Sequence, residues 1–537
     1  MPPLPRLTLV VASLWASAVA GAAGIGGPAP AEGVLRIAMT AADIPTATGL
    51  PNNGFEGMRF LGYPVFEALA QWDLSGHGLK PALAERWEQD PADPRVWTFH
   101  LRRGVTFHDG TPFDADAVLW NLDRYFKADS PQFEPQAAGI SRARVPILAG
   151  YRKVDGATVQ FTTTEVASFF PYMAVYLLIA SPRPFEAAGR DWTKVPAVPA
   201  AGTGPFRIVR VSPRESVELA RNDAYWDTGR RAKLDGIRLL PIPDANARVA
   251  ALRAGQVDWI EAVPPDAIPS LKQADFTVAT APYPHIWPWI FNSGAEGSPL
   301  KDVRVRQALN YCIDREGIVT LLAGTAEPAS GWLNDGDPDF GTPQNRYGFE
   351  PGKGRALLSE AGYGPAKPLA LTVMISASGS GQMLPLPMNE YLQETLKTAC
   401  GVEVSFRVVE WQVLLNGLRA RPDAPGVRGV DALNISSPSS DPAVMERYFS
   451  SARFPPAGFN FATWADPRFD AALKALAETT DEATIAAQTR IAHERLVDNP
   501  PWLYVVHDLN PRALAPRVQG FAPSRTWFVD LTRVSVR

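Results

Sequence analysis

Trp97-Thr-Phe-His-Leu-Arg-Arg-Gly-Val-Thr-Phe-His-Asp-Gly-Thr-Pro-Phe-Asp-Ala-Asp-Ala-Val118 compresses a strand, two turns and a helix start into one continuous stretch. Trp97, Phe99 and Leu101 alternate with Thr98 and His100, the period of two of a half-buried strand. Gly104 and Gly110 fit tight turns, where glycine tolerates a positive φ. Pro112 and Asp114 then open a helix, Asp114 as a capping acceptor, with Val118, Leu122 and Tyr125 recurring along one buried side.

Outward from this stretch, strand and helix patterns keep alternating, which predicts an α/β protein. Residues 34–39 read as a first strand, and 159–161, 369–375 and 404–408 as half-buried strands. Asp244 caps a helix carrying Val249, Ala250 and Leu252 toward one side, Gly255 stops it, and 257–260 form the next strand. Asp302 caps a second helix through Tyr311, and Gly362 ends a third that contains Leu357, Leu358 and Ala361. The 51 prolines fall between elements and predict ordered connecting loops. Candidate boundaries lie at 282–288 and near Pro500 and Pro501, before a strand at 502–506. Two crossings imply that the C-terminal segment returns to the first lobe.

Near the start, Arg6 precedes an apolar run to about Ala20, and Ala20 with Ala22 forms an Ala-x-Ala cleavage pattern. Residues 1–22 therefore read as a secretory signal peptide rather than an uncleaved anchor, and no Cys nearby offers a lipid attachment point. Export to the periplasm is expected. Roughly 510 residues would remain, beyond the size of one hydrophobic core, so at least two lobes are expected. The 52 Lys and Arg balance 56 Asp and Glu without long runs of either sign, which argues against nucleic-acid or anionic-membrane partners. Cys312 shares an apolar helical face with Val305, Ala308 and Leu309 and reads as a buried free thiol; whether it approaches Cys400 is open. The six His are scattered and form no metal-binding spacing.

Several segments resemble the family 5 extracellular solute-binding proteins, the peptide and nickel receptors of ABC importers. Besides 97–118 they are Tyr63-Pro-Val-Phe-Glu-Ala-Leu69, Lys80-Pro-Ala-Leu-Ala-Glu-Arg-Trp87, Gly202-Thr-Gly-Pro-Phe206, Arg221-Asn-Asp-Ala-Tyr-Trp226, Asp302-Val-Arg-Val-Arg-Gln-Ala-Leu-Asn-Tyr-Cys-Ile-Asp-Arg315 and Gly401-Val-Glu-Val-Ser-Phe-Arg-Val-Val-Glu-Trp411. Their order spans nearly the whole mature chain. The resemblance implies a type II, cluster C-like clamshell with an extra subdomain in the large lobe. That lobe is expected from 33–285 plus 503–537, and the second lobe from 286–502. It also implies a monomeric receptor that encloses a small organic solute, peptide-like or other, and delivers it to the transmembrane subunits of an ABC permease, without a cofactor and without catalysis.

In the peptide-binding members, an Asp in a Gly-Trp-x-x-Asp stretch pairs with the ligand's α-amino group. The corresponding stretch here is Asn434-Ile-Ser-Ser-Pro-Ser-Ser-Asp-Pro442, with Ile435 at the Trp position and Pro438 at the Asp position. Proline offers neither charge nor N–H, so that anchor is missing unless Asp441 substitutes; Asp441 reads equally as a helix cap. Asn434 and Ser436 are candidates in the same stretch.

The loop Ser376-Ala-Ser-Gly-Ser-Gly-Gln-Met383 follows a strand at its carboxyl end, where α/β sheets present ligand loops, and supplies Ser380, Gln382 and Met383. Tyr283, His285, Trp287 and Trp289 alternate and are expected to form an aromatic wall, with Trp411 beside Glu410 as a further stacking candidate. Phe55, Glu56, Met58 and Arg59, in the loop after the first strand, complete the candidate site; Glu56 or Arg59 would select a ligand of opposite charge.

Two other functions compete. Ser298-Pro-Leu-Lys301 spells the SxxK of penicillin-interacting hydrolases but lacks accompanying Lys-Thr-Gly and Ser-Asp-Asn elements. A nickel-chelate receptor would share the fold, although no soft ligands cluster.

Overall fold

A computed structural model describes residues 33–41, 55–74, 78–195, 199–282, 284–377, 379, 381–524 and 526–537. The expected signal peptide, Tyr283, Ser380 and the side chain of Phe55 lie outside that description.

The stretch 97–118 folds as its spacing predicts. Strand Val96–Leu101 buries Trp97, Phe99 and Leu101 in a four-stranded antiparallel sheet with Ala84–Gln89, Thr158–Thr163 and Leu148–Asp155. Helix Ala115–Phe126 begins where the Asp114 carboxylate accepts the Ala117 N–H at 3.0 Å. Val118, Leu122 and Tyr125 lie in the core beneath it.

A larger sheet has seven strands. Its centre, Val34–Met39, runs parallel to Gly236–Pro241 and Trp259–Glu261, and antiparallel strands complete the rest. Helix Ala245–Arg253 makes the crossover between the two parallel neighbours, capped by Asp244, which accepts the Ala247 N–H. Val249 and Leu252 face the core, whereas Ala250, expected beside them, is exposed.

The second large sheet is ordered Ala326–Pro328, Trp502–Asp508, His285–Phe291, Ala432–Asn434, Ala370–Ser376, Glu403–Val409. All seven residues of His285–Phe291 and of Trp502–Asp508 are buried, because helices and loops cover both faces of the sheet. The boundary expected at 503 is therefore corrected. Trp502–Asp508 pairs antiparallel with His285–Phe291 and belongs to the second sheet; the chain rejoins the first only with Arg512–Leu514. Thr277–Ala279 is thus the last first-sheet strand before His285–Phe291, and Arg512–Leu514 the first one after Trp502–Asp508.

Cys312 is not a free thiol. It forms a disulfide with Cys400, joining the end of helix Val303–Tyr311 to the end of helix Pro385–Cys400. Gly354, in helix Pro351–Glu360, lies over the bridge: a Cβ there would come within 2.3 Å of the Cys312 sulfur.

Candidate binding cleft

Between the two lobes lies a cavity of about 630 Å³ with walls from both. The first-lobe wall is built where the central strand ends. Glu56 lies in the short helix Phe55–Gly57, and its carboxylate accepts the Thr40 and Ala41 N–H groups at 2.9 and 3.0 Å and the Thr40 hydroxyl at 2.9 Å. Burial pushes this carboxyl up, and the Glu261 charge adds to the effect against Thr40 and Arg59.

Arg59 follows in the π-helical turn Met58–Phe66 and is buried. Its guanidinium pairs with Glu261, donates through Nε to the Trp527 carbonyl and lies 4.9 Å from the Trp527 ring centroid. Its Nη2 has no hydrogen-bond partner among the described residues. Glu261 also accepts from Trp259 Nε1 at 2.7 Å and Arg512 Nε at 2.8 Å. Burial raises the Glu261 carboxyl, but Arg512 and Arg59 outweigh it and hold it below the usual carboxylate range. Arg248 ties the wall together by donating to the carbonyls of Ile242, Pro243, Glu261 and Ala262.

The second-lobe wall is the loop after strand Ala370–Ser376. Gly379, at φ +145°, lies against Trp411, and Gly381, at φ +72°, against His285 and Ser436. The buried Gln382 carboxamide accepts the Ser436 N–H at 2.7 Å and donates to the Asn434 carbonyl at 3.3 Å, fastening the loop to the sheet. Glu410 caps helix Trp411–Leu418 by accepting the Gln412 N–H, which sets Trp411 at the cavity edge.

Of the residues expected from sequence, Glu56, Arg59, Gln382, Met383 and Trp411 line this cavity. Ser436 lines a smaller neighbouring pocket. The aromatic wall expected from Trp287 and Trp289 is absent: both have 0 % exposure, and their shared face packs on helices Val303–Tyr311 and Pro385–Cys400. Trp289 Nε1 donates to Asn389 Oδ1 at 2.8 Å. Asn434 is fully buried, linking Asn389 to the Pro288 carbonyl. Asp441 caps helix Pro442–Phe449, accepting the Val444 N–H, and is outside the cavity lining. Arg248, Glu261 and Trp527 were not expected; they come from distant segments and carry no local signal.

Ser298 caps the turn Pro299–Lys301, accepting the Leu300 N–H at 3.2 Å while its hydroxyl donates to the Asn292 carbonyl at 2.9 Å. Among the described residues, no group of three or more His, Cys, Asp or Glu side chains could hold a metal ion.

The family model for bacterial extracellular solute-binding proteins, family 5 Middle, matches residues 78–455. The chain is 28% identical over 440 residues to the glutathione-binding protein GsiB of Pectobacterium atrosepticum, covering 80% of each. It is 26% identical over 555 residues to the periplasmic oligopeptide-binding protein OppA of Escherichia coli, covering 96% of each. Among solved structures, the periplasmic binding protein DppA of Helicobacter pylori in complex with peptide STSA superposes with a TM-score of 0.78 at 20% identity, covering 94% of this chain and 98% of that one.

Proposed function

Because the chain belongs to the bacterial extracellular solute-binding proteins of family 5, we propose that it is the periplasmic receptor of an ABC importer, capturing a small organic solute between its lobes and passing it to the permease. The observation that carries this reading is the interlobe cavity, whose volume of about 630 Å³ suits a small molecule and whose polar groups come from both sides. Closing the lobes removes water from the cavity, so each polar contact made there becomes strong and geometry-dependent. We divide the lobes with 285–508 as the second and the flanking 33–282 and 509–537 as the first. The signal pattern at 1–22 supports capture outside the cytoplasm.

The relatives' names direct attention to peptides and glutathione, but Pro438 removes a charge at the position that the resemblance assigns to the amine anchor. Binding without turnover fits the commitment of Ser298 to a turn. Mass spectrometry of solute released from protein purified from its native host, combined with small-angle scattering before and after its return, tests the reading. A stoichiometric solute and a compaction on binding are expected. An unchanged particle with no associated solute would refute it.

A further inference from the structure

Beside the main cavity, and sharing Trp411 and Trp527 with it, lies a second pocket of about 110 Å³. That is several times the space one water molecule requires. Its described lining includes three arginines, Arg144, Arg419 and Arg447, and no Asp or Glu. Arg144 and Arg447 are only 8 and 5 % exposed. They stand close together, with Arg447 Nη2 3.4 Å from the Arg144 carbonyl.

Concentrating like charges out of water is unfavourable unless something neutralises them. At Arg447 the described residues do so incompletely. Asp441 and Glu446 share a helix with Arg447 and lie within its electrostatic reach, but Asp441 is engaged as that helix's cap and Glu446 pairs with Arg453. Arg447 Nε has no hydrogen-bond partner among the described residues. Burial lowers the Arg144 guanidinium to about 10, although the neighbouring Tyr176 opposes the shift, and Arg447 lowers it further. It is still cationic at neutral pH. His285, on the pocket wall, is held neutral by burial. Pro438 and Ile435 complete a wall without charge, and Trp411, Tyr448, Phe459 and Trp527 supply aromatic surface.

We propose that this pocket receives an anionic group of the captured solute, a carboxylate, sulfonate or phosphate, while the solute's apolar part passes between Trp411 and Trp527 into the main cavity. A planar guanidinium matches such oxyanions with paired N–H donors. The proposal rests on the receptor reading above and narrows it to anions.

Three probes with one skeleton and different charge test it: 3-phenylpropionate, 3-phenylpropanol and 3-phenylpropylammonium, titrated calorimetrically into the full mature protein freed of solute. Only the carboxylate should bind, and Arg447→Gln should weaken it roughly tenfold or more. Arg419→Gln, at an exposed position, should weaken it by a smaller factor and serves if Arg447→Gln fails to fold. Binding of the alcohol or the ammonium as tightly as the carboxylate, no binding of the carboxylate, or carboxylate affinity indifferent to both substitutions would overturn the proposal. The receptor reading fails on a different result, the absence of both copurified solute and compaction. A neutral or cationic copurified solute would overturn the anion pocket alone.

Discussion

Gly379 and Trp411 touch so closely that a Cβ on the glycine would sit 2.3 Å from Cε3 of the indole. The glycine is thus a condition for the position of the ring. At φ +145° it is also strained for any L side chain. Gly379→Ala should leave the protein folded, because the loop borders a cavity, but should displace Trp411 and lower solute affinity by roughly tenfold, or about 1.4 kcal/mol. Titration with the solute released from the native protein checks this; unchanged affinity would remove Trp411 from the binding wall.

The Cys312–Cys400 disulfide spans 88 residues of sequence. Its reduction should lower unfolding free energy by about 2–4 kcal/mol, measured by urea denaturation with and without reductant. Gly354→Ala would press a methyl group onto the bridge and should also destabilise, by about 1–3 kcal/mol.

Asp258 is 1 % exposed and accepts from the Arg36 backbone N–H and guanidinium, with Arg517 3.0 Å away. It therefore ties the first strand to the C-terminal segment. Asp258→Asn should cost about 1–3 kcal/mol by removing a buried charge that two half-buried guanidiniums pair with. A melting temperature within a degree of the parent would contradict this.

Burial lowers His493 and His507 from the usual 6.5 to about 4. Below pH 6.5 the unfolded chain binds protons that the folded protein refuses, so stability is retained above 6.5 and lost progressively toward pH 4. In His493, Nε2 accepts the Leu333 N–H while Nδ1 donates to the Phe340 carbonyl, an arrangement that requires the neutral ring. Unfolding free energies measured between pH 4 and 8 should show this slope, and His493→Gln should reduce it even if the variant is less stable throughout.

Local pattern carried much of the fold. The alternation in 97–101 set a strand, and Asp114, Asp244 and Asp302 marked helix starts, because periodicity and capping involve neighbours within a few residues. The strand end ahead of Gly379, the aromatic ring of Trp411 and the loop position of Glu56 and Arg59 likewise pointed to residues that line the cavity.

Element order, the α/β class and the family were thus legible in the residues alone. Which side of each element met solvent was set by packing against distant segments. The alternation of Trp287 and Trp289 correctly puts them on one face, but in a strand covered on both sides either face is core. Likewise, nothing near Cys312 announces Cys400, and nothing near Arg144 announces Arg447 or Trp527. Their meeting depends on tertiary packing that joins segments 88 residues apart in the first case and 303 apart for Arg144 and Arg447, and local spacing has no access to those contacts.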